Sequence, residues 1–245
     1  MSIYSKLSAL LTAANTKTGE SDTTLTDAVQ TLIDGYGQGG GGEDTLKALL
    51  DNTVVSFEYS GSAVITQELF RDKTALKNIK LSGVTLSGTN QFLGCTSLER
   101  ARLDGVASLG TSAAFQNAGR DATELVIVLP SATSCPPDCF RGCNVNAVID
   151  LGPNFTSMGN RSFYNNNFVG ALILRSATVV TCGNSNAIDA LVRGKNSTVY
   201  VPQALISTYQ TDTNWSLAYA AGVTFTAIEG SQYETHYADG TVIPT

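Results

Sequence analysis

The sequence predicts a mostly β protein, a repeat solenoid with a small α-helical module at its N-terminus. Three observations carry that reading. Phenylalanines recur at Phe70, Phe92, Phe115, Phe140 and Phe163, with separations of 22, 23, 25 and 23 residues. Leu81 and Leu103 stand eleven positions past the first two, and Leu129, Leu151 and Leu174 fill the same place in later units. Charged residues make up only 15% of the 245, against about 25% in an ordinary soluble domain, while Gly, Ser, Thr and Asn are plentiful. A period of this length is one turn of a stack. No single turn can bury its apolar side alone, so neighbours must cover one another.

Taken in chain order, Ile3, Leu7, Leu10, Leu11 and Ala14 fall at helical spacing, which favours a short amphipathic helix over the weak likeness to an export signal that Lys6 and the apolar run supply. A second helix is predicted from Thr24-Leu-Thr-Asp27, a start resembling a capping box, with Val29, Leu32, Ile33 and Tyr36 as its apolar face. Gly35 and Gly37 end it. The run Gly37-Gln-Gly-Gly-Gly-Gly42 matches G-x-G-x-x-G literally, but it follows a helix where a nucleotide loop follows a strand, so it reads as a linker. The chain thus divides into a helical docking module (1–36), a Gly-rich linker (37–44), a repeat array (45–201) and a C-terminal cap and tail (202–245).

Within the array the predicted strands are Ile79-Lys80-Leu81, Ala101-Arg102-Leu103, Ile127-Val128-Leu129, Ile149-Asp150-Leu151, Leu172-Ile173-Leu174 and Val199-Tyr200-Val201. Strand side chains alternate faces, so the outer two of each triplet point into the core. The middle residues form an outward ladder: Lys80, Arg102, Val128, Asp150, Ile173 and Tyr200. Its first half is basic and its second half mostly apolar. In the cap, Ala204 to Tyr209 are expected to form a helical turn, and Val223 to Ile228 a last strand protecting the end of the stack.

Charge and composition exclude several functions. The net charge is −6, the pI is near 4.7, and no basic patch suits nucleic acid. Residues 1–44 carry −4 of the charge and the last sixteen −2, leaving 45–229 neutral. No stretch is apolar for long enough to cross a bilayer. A single histidine, His236, leaves little room for His-based catalysis or a multi-His metal site. Nucleophile-elbow, zinc-protease and Walker motifs are absent. The expectation is therefore no enzyme, no cofactor and no metal. Five cysteines, at 95, 135, 139, 143 and 182, are odd in number, and reduced thiols packed inside the turns are the preferred account. A Cys135–Cys139 disulfide and a soft-metal site at Cys135-Pro-Pro-Asp-Cys139-Phe-Arg-Gly-Cys143 are the alternatives. Asn144, Asn146, Asn154 and Asn165 to Asn167 read as corner residues tolerant of left-handed backbone, with sugar binding through their amides as the alternative.

Phe92-Leu-Gly-Cys95-Thr-Ser-Leu98 and Phe140-Arg-Gly-Cys143, each with a strand downstream, resemble the BspA-like leucine-rich repeats of bacterial surface proteins and of phages of gut bacteria. The likeness spans about residues 66–201, with Thr198-Val-Tyr-Val-Pro202, Tyr209 and Asn214-Trp215 similar to a terminal unit of such arrays. Ala14 to Asp22 followed by Thr26 to Ile33 resembles the openings of phage tail and baseplate proteins. Together the resemblances imply a leucine-rich-repeat-type solenoid in a virion protein, assembled in the bacterial cytoplasm. Leu7, Leu10, Leu11, Val29, Leu32 and Ile33 would then dock to other virion proteins. The array would be displayed toward a host-surface glycan or protein, with Val128, Ile173, Tyr200, Lys80 and Arg102 as the contact candidates. A homo-oligomer is expected, a trimer among the options. Tail and capsid locations both fit. A bacterial surface adhesin is the alternative, and a carbohydrate-active enzyme with converging carboxylates a weaker one.

Overall fold

The computed structural model describes residues 48–49, 51–65, 69–165, 170–194 and 197–234. The predicted helices within 1–36 and the linker lie outside the described residues. So do Leu7, Leu10, Leu11, Val29, Leu32, Ile33 and His236.

The six predicted triplets are all strands. Each sits inside one of β3 (Asn78–Ser82), β5 (Arg100–Asp104), β6 (Val126–Leu129), β8 (Val148–Leu151), β10 (Ala171–Leu174) and β12 (Thr198–Val201). Two more extend the same sheet: β1 (Ser56–Ser60) at its beginning and β13 (Thr224–Ala227) at its end. The order β1-β3-β5-β6-β8-β10-β12-β13 follows the sequence, and every neighbouring pair is parallel. Register is set by the inward residues. Phe57, Ile79, Ala101, Ile127, Ile149, Leu172, Val199 and Phe225 align in one column; two residues on, Tyr59, Leu81 and Leu103 pair in turn, as do Leu129, Leu151 and Leu174. All are buried. A one-residue slip would turn them to solvent, which fixes the pairing.

Opposite this sheet run narrower parallel ladders. β2 (Val64–Ile65) pairs with β4 (Thr85–Leu86), and β7 (Ser134–Cys135), β9 (Ser157–Met158) and β11 (Thr181–Cys182) form a second set. Single bridges Leu86–Leu109 and Thr89–Ser112 continue the alignment from one turn to the next. Between the ladders the five phenylalanines stack, with centroids 5.4, 4.8, 5.8 and 5.0 Å apart in order. Phe57 closes the near end edge-on to Phe70 at 5.1 Å.

The corners explain the composition. Two residues before the phenylalanines, Asn90, Ala113, Asp138 and Arg161 have φ of 58, 52, 57 and 57°. Two residues after, Asp72, Gly94, Asn117, Gly142 and Asn165 have φ of 55, 73, 59, 66 and 62°. Left-handed backbone twice per turn selects Gly, Asn and Asp. Asn165 takes the left-handed backbone expected of it, whereas Asn144 supports its corner by hydrogen bonding instead. It is buried, donates to the carbonyls of Gly119 (2.9 Å) and Ala122 (2.6 Å), and accepts from Asn146 N–H at 2.8 Å.

Beyond β11 the repeat lengthens. A 3-10 turn and α1 (Asp189–Gly194) fill the return to β12, and α2 (Ile206–Thr211) and α3 (Trp215–Ala220) fill the return to β13. The predicted helical turn at Ala204 to Tyr209 corresponds to a 3-10 turn at Gln203–Leu205 running into α2. Tyr209 and Trp215 hold both backbone polar groups of one residue of the preceding turn: Val180 N–H donates to the Tyr209 hydroxyl at 2.9 Å, and Trp215 Nε1–H donates to the Val180 carbonyl at 2.7 Å.

Candidate recognition surface

The outward face of the eight-stranded sheet carries one central row in register: Glu58, Lys80, Arg102, Val128, Asp150, Ile173, Tyr200 and Thr226. Its first half is polar. Lys80 Nζ meets Glu58 Oε1 at 2.6 Å, and Arg102 Nε donates to Asp104 Oδ2 at 2.8 Å. Beside them Arg100 donates from both terminal nitrogens to Glu124 Oε1 (2.7 and 2.6 Å), Lys77 to Glu99 (2.7 Å), and Asn78 to Ser56 Oγ (3.1 Å). Pairs this exposed add at most about 1 kcal/mol each to stability. What they provide is a pre-ordered array of paired charges.

The second half departs from the expectation of an exposed apolar ladder. Ile173 is fully buried, Val128 is 4% exposed and Tyr200 is half-buried. Val148, Ala171, Ile173 and Tyr200 cluster with Ile228 and Tyr233, which follow β13 and fold back over this part of the face. The Tyr233 ring stands edge-on to Tyr200 with centroids 4.6 Å apart and an interplanar angle of 72°. The physical reason is ordinary: an in-register apolar row gains about 25 cal/mol for each Å² removed from water. A neighbouring segment of the same chain supplies the cover. Val128 lies in register between Arg102 and Asp150, inside the sheet's middle. Neither Val128 nor Ile173 is therefore an exposed contact residue. Lys80 and Arg102 keep the surface placement expected of them.

Asp150, an outward residue, is fully buried. Arg175 solves the resulting problem, donating Nε and Nη2 to its two carboxylate oxygens at 2.8 Å each and a further hydrogen bond from Nη2 to the Tyr233 carbonyl at 2.7 Å. A buried carboxylate without such a partner would be strongly destabilising. Burial also raises the Tyr233 phenol above its ordinary value. Arg175 and Tyr233 escaped the sequence reading, although a lone acid in an apolar stretch of the ladder calls for a cation. One repeat further along, immediately after Leu174, Arg175 meets that need.

The thiols pack inside the turns. Cys95 donates to the Phe70 carbonyl at 2.9 Å and Cys143 to the Phe115 carbonyl at 2.8 Å, the same contact in two repeats. Cys135 reaches Ser162 Oγ at 3.3 Å. All five cysteines are free thiols. Burial pushes Cys95 and Cys182 up to about 12 and Cys139 and Cys143 well above the ordinary thiol value. Among the described residues no three His, Cys, Asp or Glu side chains are grouped to hold a metal, and no helix is long and apolar enough to cross a membrane.

On the outer face Glu58, Asp104 and Asp150 are all engaged in ion pairs. This arrangement suits recognition. Neither a curated protein nor a solved structure matches the chain. The family model for the BspA type leucine rich repeat region matches residues 63–185 in six copies, half of the sequence. That family is a repeat and binding family, not a known enzyme family. The Phe-to-Phe period, the parallel in-order strands and this match agree: the chain belongs to the BspA-type leucine-rich repeat family.

Proposed function

We propose that this chain is a non-catalytic attachment protein, a leucine-rich-repeat solenoid whose outer sheet face recognises a protein or glycan surface. The observation that carries the reading is the polar half-face of Glu58, Lys80, Arg100, Arg102 and Asp104. Its side chains are held in place by ion pairs of 2.6 to 2.8 Å before any partner arrives. Pre-ordering of this kind lowers the entropy lost on association. Matched charges favour selectivity among partners over long-range attraction, which agrees with the neutral 45–229 segment.

The finer reading places the chain in a phage virion, with the helices of 1–36 docking to the particle and the solenoid displayed through the Gly37–Gly42 tether. Its support is sequence likeness in residues 14–33 and the charge and glycine content of 1–44. Immunogold electron microscopy tests it, with antibodies raised against the folded chain and applied to both particles and cells of the source culture. Label at a tail or capsid position supports the virion role, and label on the cell surface moves the protein to the adhesin reading. Label on neither overturns attachment.

A further inference from the structure

The geometry points to a second binding site on the outer face of β10 and β12, for a partner polypeptide that presents an aromatic side chain, with the chain's own Tyr233 now seated in it. This rests on the reading of the outer face as the recognition surface and specifies the half that its own chain covers.

Ile228 still belongs to the β13 edge, its N–H donating to the Val201 carbonyl at 3.0 Å, and the Glu229 carboxylate accepts from Gln203 N–H at 2.9 Å; beyond them Gly230–Glu234 lies on the face as a turn and not as a ninth strand. The turn is closed by hydrogen bonds of its own. Ser231 N–H and hydroxyl both donate to the Ile228 carbonyl (3.0 and 2.7 Å), and Tyr233 N–H donates to Ser231 Oγ (3.1 Å). Gly230 N–H donates to the Glu234 carboxylate at 2.8 Å, closing the turn. Besides the Ile228 N–H, the segment presents to the face two apolar side chains, Ile228 and Tyr233, and the Tyr233 carbonyl, which accepts from Arg175. A backbone carbonyl is common to every polypeptide, so that contact does not depend on the sequence that supplies it. The aromatic ring does the selecting, packed edge-on against Tyr200 and over Ile173 and Ala171.

The receiving side is preformed. Arg175 is fixed by its two bonds to Asp150 and keeps an Nη2 hydrogen directed at the carbonyl position. Its charge is balanced by Asp150, so the site has no excess charge with which to draw a phosphate or sulfate, and the apolar wall favours a side chain over a sugar. An open groove of about 560 Å³ runs between Tyr200 and Thr226 on the sheet and Glu229 to Gln232 on the segment, giving an incoming chain a place to enter. A partner turn carrying an aromatic residue would replace Tyr233 against Tyr200 and offer its own carbonyl to Arg175, with Ile228 staying in place at the end of β13. Recognition would then require displacement, and the apolar half of the face would be exposed only while a partner is taken up.

The test uses the full chain and a fluorescein-labelled peptide of sequence Ile-Glu-Gly-Ser-Gln-Tyr-Glu, followed by fluorescence anisotropy. Tyr233→Ala removes the ring that fills the aromatic position, leaving Ile228 and the residue-233 carbonyl in place, and is expected to bind the peptide at least tenfold more tightly than the unsubstituted chain. Adding Arg175→Ala, or replacing the peptide tyrosine by alanine, should abolish the gain. Equal binding by Tyr233→Ala and the unsubstituted chain, with a cooperative thermal transition proving the variant folded, overturns the proposal. Should Tyr233→Ala not fold, a protease site inserted between Glu229 and Gly230 allows the segment to be cut after folding. Exchange of the cut segment for labelled peptide supports the site, and retention against excess peptide overturns it. Concentration-dependent dimers that the peptide dissolves would assign the site to a second copy of the chain and overturn the foreign partner. Each of these failures leaves the polar half-face and the immunogold outcome untouched.

Discussion

Truncating Phe115 to alanine tests the central claim about how the repeats are held. Its ring is fully buried, 4.8 Å from Phe92 and 5.8 Å from Phe140, with interplanar angles of 19 and 13°. Removing it takes away about 150 Å² of apolar contact, worth about 4 kcal/mol at 25 cal/mol per Å². That agrees with the roughly 3–5 kcal/mol found for Phe→Ala in packed cores. Phe115→Leu, which keeps most of the volume, should cost only about 1 to 1.5 kcal/mol. Urea unfolding followed by far-ultraviolet circular dichroism measures both. Trp215 lies in the last turn, so its fluorescence reports the far end of the stack. Because each repeat touches only its neighbours, Phe115→Ala should weaken the coupling between the halves and separate the two transitions. A loss below about 1 kcal/mol, with the two probes still coincident, would refute the stacked-ring account.

Four other outcomes follow from specific contacts. Gly152→Ala drives a Cβ into the carbonyl oxygen of Pro130 on the adjacent turn; a loss of about 2–3 kcal/mol is expected in thermal unfolding, since no side-chain rotation relieves a backbone clash. Ala113→Gly should stabilise by about 0.5 kcal/mol, because Ala113 sits at φ 52° and relief of left-handed strain exceeds the added freedom of the unfolded chain. Tyr209→Phe removes the acceptor of the buried Val180 N–H and should cost about 1–3 kcal/mol in the same assay. Stability should fall with rising pH above about 8.5, where unfolded thiols ionise while Cys95 and Cys182, raised to about 12, stay protonated in the fold. For the deeply buried Cys95 the contribution is complete below the unfolded value, is lost progressively as pH rises past it, and goes on falling to the folded value. Cys95→Ala should flatten the urea midpoint against pH.

The core was legible because its signals are local and repeated. A phenylalanine every 22 to 25 residues and apolar–x–apolar triplets at a constant offset leave one economical packing, and twelve of the twelve inward triplet positions are buried. β1 was missed because Phe57 and Tyr59 precede the first phenylalanine of the series, so no period marks them. The short ladders of β2, β4, β7, β9 and β11 are two-residue strands whose pairing comes from the stacking itself. α1 fills a longer return between β10 and β12, where the period gives no guidance.

The candidate site was half legible for a physical reason. Alternation along a strand says which side chains leave the core, and it placed Lys80, Arg102, Asp150, Ile173 and Tyr200 on one face in register. It says nothing about what later folds over that face. Whether an outward apolar row meets water depends on a segment 55 to 60 residues away in sequence, and the fold resolved it by laying Ile228 and Tyr233 over Ile173 and sealing Asp150 with Arg175. The sequence alone determined the period, the inward columns and the family. Only the tertiary structure decided which outward residues remain surface, because periodicity encodes the neighbours one turn away, while cover by a distant segment is a non-local burial that no local pattern records.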